Sequence, residues 1–222
     1  MEIVKQWDNT QGLAITQGQL DLLAAHMDMV LDTNRVMNLT AITQPQDFMV
    51  KHIIDSLTVL PYIAQISQKK QEGSITLGDI GTGAGFPGVV LAIMLEDIQI
   101  TLVDSLNKRV KFLQEVVDRL GLRNVTCIHS RGEDLAKTGA TFDVCIARAV
   151  AKLDKLVKWI MPLVAPTGQL IAMKGPHVAH ELEDALNELN KHQARVKAVD
   201  TVDIILPNGE SAARSILVID RE

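Results

Sequence analysis

The chain has 222 residues, of which 47% are hydrophobic and 22% charged, with a formal net charge of −5. That length and apolar content suit one α/β domain with a small appendage and exclude a disordered chain. The acidic balance argues against a general binder of naked nucleic acid, while leaving room for a basic patch beside a site. Cys127 and Cys145 are too few for a disulfide framework, and both fall in predicted strands as small buried hydrophobes. No cysteine–histidine spacing suggests a metal site. The segment from Met1 to Asp8 has no apolar signal core, and no apolar run approaches membrane-spanning length. The expectation is a cytoplasmic protein with no metal and no membrane contact.

Residues 1–70 form a predicted helical N-terminal extension. Thr16 followed by Gln19 spells a capping box, and Leu20, Leu23, Met27, Val30 and Leu31 recur at helical spacing. The stretch from Asn38 to Ile42 breaks the pattern. A second helix opens at Thr43-Gln-Pro45, runs to Leu57 and stops before Pro61. His52 and Asp55 share a face of it, and the pattern favours an exposed polar pair. The polar segment from Ser67 to Gly73 is the expected linker into residues 71–222.

That second region is organised around the stretch from Ser74 to Asp104. Ile75 to Ile80 is a short apolar run ending in glycines, as in a buried parallel strand. Gly88 to Leu95 suits a helix on the sheet, and Ile98 to Val103 is a second strand with Asp104 at its carboxyl end. This is the first half of a nucleotide-binding βαβ unit, in which Gly83 lets a ligand approach the backbone and Asp104 is placed for a ribose diol. Gly83-x-Gly85-x-x-Gly88 also spells a dinucleotide fingerprint, so a nicotinamide-dependent oxidoreductase is the alternative. The fuller Asp79-x-Gly81-x-Gly83-x-Gly85 resembles motif I of class I S-adenosylmethionine methyltransferases.

Ser105 is the expected cap of a helix ending at Gly121, with Lys108, Arg109 and Lys111 on a solvated face. Val125 to His129 is a third strand, followed by Ser130-Arg-Gly132-Glu133, where an adenine amino group finds an acceptor. The fourth strand, from Phe142, ends at Arg148. A strand-end arginine facing the crevice needs a partner, so a site role and an internal ion pair weigh about equally. A helix from Leu153 to Leu163 carries Lys152, Lys155 and Lys158 on one side. Pro166-Thr-Gly168 is a predicted turn before a fifth strand from Gln169 to Lys174. After another helix, Val196 to Leu206 and Ala212 to Ile219 form a hairpin around Pro207-Asn-Gly209. A terminal hairpin fits a seven-stranded methyltransferase sheet, and too little chain remains for the substrate domain of a dehydrogenase.

Several blocks resemble one family. They are Asn38-Leu-Thr-Ala-Ile, His52-Ile-Ile-Asp55-Ser-Leu, Asp79-Ile-Gly-Thr-Gly-Ala-Gly-Phe-Pro-Gly88, Val103-Asp-Ser-Leu-Asn-Lys-Arg109, Arg131-Gly-Glu133 and Ala147-Arg148-Ala-Val. Together they resemble the bacterial rRNA small subunit methyltransferase G family, also called glucose-inhibited division protein B. The resemblance implies a Rossmann-like class I methyltransferase fold: a seven-stranded, mostly parallel sheet with a C-terminal antiparallel hairpin and a helical N-terminal extension. It implies S-adenosyl-L-methionine as cofactor and methylation of N7 of one guanosine in the decoding-region loop of 16S rRNA. The acidic charge favours rRNA within the 30S subunit over free RNA, and a monomer is the default. Family cofactor contacts carry over to Gly81, Phe86, Gly132, Glu133 and Arg148. Gly83 and Asp104 join them from the loop and ribose reasoning above, and Arg148 is the candidate catalytic residue, by orienting the base. No Asn/Asp-Pro-Pro-Tyr motif follows the fourth strand, and Cys145 lies inside that strand, so amino-group and cytosine-C5 chemistries lack their devices. Guanine N7 needs no general base.

Overall fold

The computed structural model describes residues 1–69, 73–205 and 211–221. Seven strands form one sheet in the order β3-β2-β1-β4-β5-β7-β6. They are β1 (Thr76–Ile80), β2 (Gln99–Asp104), β3 (Val125–His129), β4 (Phe142–Arg148), β5 (Val164–Lys174), β6 (Ala194–Ile205) and β7 (Ser211–Arg221). β1 to β5 run parallel, and β7 pairs antiparallel with both β5 and β6. The strand order reverses between β1 and β4, and in such sheets ligands bind beyond the carboxyl ends at that point. The expected seven-stranded class I fold with a terminal hairpin is therefore present; the turn at Pro207-Asn-Gly209 lies outside the described residues.

Alternate residues of the strands feed two apolar layers. Val144, Ile146 and Ile171 face one side with α6 (Gly88–Met94) and α7 (Asn107–Leu120). Cys145, Ala147, Leu170 and Ala172 face the other with α9 (Leu153–Ile160) and α10 (Ala179–Lys191). The N-terminal helices α1 (Glu2–Gln11) and α2 (Gln17–Met37) join the first layer through Val4, Leu20, Leu23 and Val30. α2 starts on the expected capping box at Thr16 and Gln19 and ends at Asn38, which takes the left-handed conformation.

Four local expectations are corrected. The helix opened by Pro45 is not uniform: α3 (Pro45–Phe48) passes through a π-helical stretch, Met49–Ile54, into α4 (Asp55–Leu57). Pro61 does not end helical structure, because α5 (Leu60–Lys69) holds it in the first turn, where its missing N–H costs nothing; this helix also takes in residues 67–69 of the expected linker. Ser105 does not cap α7. The Asp104 carboxylate accepts the Leu106 N–H at 2.9 Å instead. Pro166-Thr-Gly168 is no separate turn but an irregularity inside β5, since Val164 pairs with Phe142 and Gln169 already pairs with Val144. A Cβ on Gly168 would lie 2.7 Å from the Asp143 carbonyl, so that crossing needs a glycine.

Candidate active site

The glycine loop leaves β1 under tight control. The Gly81 and Thr82 N–H groups donate to the Val103 carbonyl at 2.8 and 3.1 Å, and the Gly83 N–H donates to Asp104 Oδ2 at 3.0 Å. Gly81 and Gly83 have φ of +79° and +64°, a region L side chains rarely enter. No atom lies within 4 Å of where a Gly83 Cβ would stand, so a ligand can reach the bare backbone there. Gly88 has a different duty. A Cβ there would sit 2.2 Å from Leu102 and 2.6 Å from Asp79 Oδ2, so this glycine permits close helix–strand packing. Asp79 Oδ2 accepts the Gly88 N–H at 2.8 Å. Full burial pushes the Asp79 carboxyl up to about 6, against the opposing pull of its hydrogen bonds.

Beneath the loop lies an aromatic stack. The Phe86 ring is nearly parallel to His52, with centroids 4.7 Å apart, and tilted against His26 at 4.8 Å. The Arg148 guanidinium carbon stands 5.3 Å from the centre of the same ring. His26, fully buried in α2, donates through Nε2 to the Ala84 carbonyl at 2.9 Å and so ties the N-terminal helix to the glycine loop. Its burial lowers its pKa to about 4.

Arg148 is held on one side by three acceptors. Nη1 donates to the Lys51 carbonyl at 3.0 Å and to Asp55 Oδ2 at 2.9 Å, and Nη2 to His52 Nδ1 at 3.0 Å. His52 Nδ1 must then be the acceptor, so Nε2 carries the hydrogen, which it donates to Thr40 Oγ1 at 2.8 Å. Burial and the Arg148 charge depress its pKa to about 3. Asp55 Oδ1 accepts from Arg214 Nε, also at 2.9 Å. The expectation of an exposed His52–Asp55 pair is overturned: the Asp55 side chain is 2% exposed, because Arg148 and Arg214 dock on that helical face.

Two cavities open at this edge of the sheet. The larger, about 450 Å³, is lined by Gly81, Gly83, Phe86 and Arg148, with Lys51, His52, Lys174 and Arg214 among its other walls. The smaller, about 190 Å³, is lined by Gly81, Gly132, Glu133, Val150 and Trp159. Gly81 borders both, and Val150 presses so close that a Cβ on Gly81 would lie 2.7 Å from it. Asp104 lines neither cavity. It is 3% exposed and braces the loop from below, with Arg109 Nη1 at 3.5 Å.

Arg109 departs from the expected solvated face and borders the larger cavity, whereas Lys108, Lys111, Lys152, Lys155 and Lys158 are exposed as expected. The sequence reading assigned no site role to Thr40, His26, Glu181 or Arg214. For Arg214 a signal existed, the one charged residue in the mostly apolar run from Ala212 to Ile219. Cys145 is fully buried and its thiol pKa is pushed up, which removes it from nucleophilic chemistry. Among the described residues no group of side chains is arranged to hold a metal ion, and no helix is long and apolar enough to cross a membrane.

Comparison with known proteins gives one answer. A family profile described as rRNA small subunit methyltransferase G matches residues 19–205. The ribosomal RNA small subunit methyltransferase G of Clostridium perfringens is 36% identical over 223 residues, which cover 99% of this chain and 90% of that protein. The Leuconostoc citreum protein of the same name is 39% identical over 216 residues, covering 96% and 87%. Among solved structures, the magnesium protoporphyrin IX methyltransferase of Synechocystis with bound SAM aligns at a TM-score of 0.58, covering 89% of this chain and 97% of that one. At 16% identity it speaks to the fold alone. Glycine loop, strand order and sequence relatives agree, and the chain belongs to the rRNA small subunit methyltransferase G family.

Proposed function

We propose that the protein methylates N7 of a single guanosine in the decoding-region loop of 16S rRNA, in the cytoplasm, as a monomer acting on the 30S subunit. The observation that carries the choice of atom is the state of His52. It is the one imidazole lining the larger cavity among the described residues, and both its nitrogens are engaged, with a pKa near 3. No histidine is therefore free to take a proton, and guanine N7 has none to give. Alignment of nucleophile and methyl group is then the main task.

S-adenosylmethionine, when bound, supplies a methyl group activated by its sulfonium. The cavities suit it. Gly83 offers bare backbone for the methionine portion, and Gly132 and Glu133 line a chamber of adenine size. Gly81 and Phe86 border the passage, and Asp104 supports it from below by holding the Gly83 N–H in place. Three of the five Arg148 donors point to the cavity floor, and the remaining two serve the cofactor and the guanine edge or a phosphate. Five cations, Lys51, Arg109, Arg148, Lys174 and Arg214, border the cavity against two carboxylates, Asp55 and Glu181. That local excess suits RNA despite the acidic whole. In this reading residues 1–70 are an extension that lends Lys51, His52 and Asp55 to a methyltransferase domain of residues 71–222.

The test is incubation with radiolabelled S-adenosylmethionine and either 30S subunits lacking the modification or naked 16S rRNA. Borohydride and aniline cleavage maps 7-methylguanosine. One cleavage site, favoured in the 30S subunit, is expected; label at any other atom refutes the assignment.

A further inference from the structure

The larger cavity contains two carboxylates in very different states. Asp55 is 2% exposed, and each oxygen already holds an arginine. The Glu181 side chain is 28% exposed. Its Oε2 accepts the Leu153 N–H at 2.9 Å and pairs with Lys174 Nζ at 2.6 Å, while Oε1 has no hydrogen-bond partner among the described residues. Lys174, whose side chain is 7% exposed, donates a second proton to the Ala151 carbonyl at 2.7 Å. An ammonium has three protons, so one remains. The pair thus offers one free acceptor and one free donor, held in place by the bonds around them.

Their place in the sheet matters. Along the crevice stand the glycine loop after β1, Arg148 at the end of β4, Lys174 at the end of β5 and Arg214 in β7. Lys174 and Glu181 lie beyond Arg148 from the glycine loop. A purine with N7 toward that loop turns its six-membered ring toward β5. Guanine presents there the O6 acceptor, then the N1–H and N2–H donors. Adenine presents the reverse order, an N6 donor and an N1 acceptor. We propose that Lys174 and Glu181 read the target guanine, Lys174 Nζ donating to O6 and Glu181 Oε1 accepting from N1–H and the 2-amino group. This rests on the guanine-N7 assignment above and adds to it the groups that reject adenine.

The competing role is structural, since the same pair latches Ala151 and Leu153. The experiment separates the two. 30S subunits are reconstituted with 16S rRNA carrying guanosine or inosine at the methylated position. Inosine keeps N7, O6 and N1–H and lacks only the 2-amino group. Single-turnover rates are measured for the wild type and for Glu181→Gln. In the variant the Leu153 N–H and Lys174 hold the amide oxygen at the Oε2 position, so the amide NH₂ meets the guanine donors. Wild type should lose roughly 10- to 100-fold on inosine, as for one lost hydrogen bond to a charged acceptor. Glu181→Gln should be slow on guanosine and lose little more on inosine. Equal wild-type rates on both bases overturn the proposal, and this arm needs no variant. Losses that multiply also overturn it and leave Glu181 a latch, provided S-adenosylhomocysteine affinity and melting show the variant folded. Failure of the guanine-N7 assignment is seen separately, as guanosine subunits that take up label without borohydride–aniline cleavage.

Discussion

Replacing Asp55 by asparagine removes the anion between two guanidinium groups. Arg148 Nη1 and Arg214 Nε each lie 2.9 Å from one of its oxygens, and the carboxylate is 2% exposed. A hydrogen bond to a charged group contributes about 1.5–3 kcal/mol, and breaking a buried pair costs about 3–5 kcal/mol. The lower end applies here: the Arg214 side chain is 32% exposed and regains water, and the asparagine oxygen still accepts from one arginine. The expected loss is ~3 kcal/mol. At ~2–4 °C per kcal/mol for a chain of this size, melting falls by ~6–12 °C. Circular dichroism melting and urea unfolding measure it. Turnover should fall as well, because the guanidinium that faces the cavity loses the charged one of its three acceptors. A loss below ~1 kcal/mol would refute the reasoning. So would a double-mutant cycle with Arg148→Ala that is additive within ~0.5 kcal/mol, since directly bonded partners must couple.

Gly83→Val should abolish S-adenosylhomocysteine binding in calorimetric titration while a strained but folded protein remains, because the space its side chain enters is empty of protein atoms. Unaltered affinity would remove the loop from the site. Asp104→Ala should weaken S-adenosylmethionine and S-adenosylhomocysteine equally, by at least ~1.5 kcal/mol, since it removes the brace that holds the Gly83 backbone for both; a loss confined to the methylated form would contradict that role. Single-turnover methylation should be flat from about pH 6.5 to 9, because His52, with its pKa near 3, stays neutral throughout. A one-proton rise that disappears in His52→Ala would make it the base after all. Asp79 has a pKa raised to about 6 from 3.8, so its native form binds the proton more tightly than the unfolded chain. Its contribution is fullest below the unfolded value and is lost as pH rises through about 6. Wild type should therefore lose ~2 kcal/mol relative to Asp79→Asn between about pH 4 and 7, and parallel stability curves in urea would contradict this.

The features legible in the sequence are those whose cause is local. The strand, glycines, helix and acid from Ile75 to Asp104 follow one another along the chain, so their order alone announces a ligand-binding βαβ unit. The capping box at Thr16 and Gln19 and the left-handed Gly121 after α7 are likewise set by neighbours three or four residues away. The seven-stranded sheet was readable because each strand carries its own apolar run and the hairpin its own turn residues. The polar architecture of the site was not. Arg148 and Asp55 are separated by 93 residues, Arg214 and Asp55 by 159, and His26 and Ala84 by 58. Periodicity assigns a residue to a face of its own helix, but burial of that face depends on what docks there. Hence a pair three residues apart, which in an isolated helix would face water, became the anchor of two arginines from distant strands. The same reason moved Arg109 from solvent to the cavity wall, whereas Lys174 and Glu181 meet across the short connection between β5 and α10.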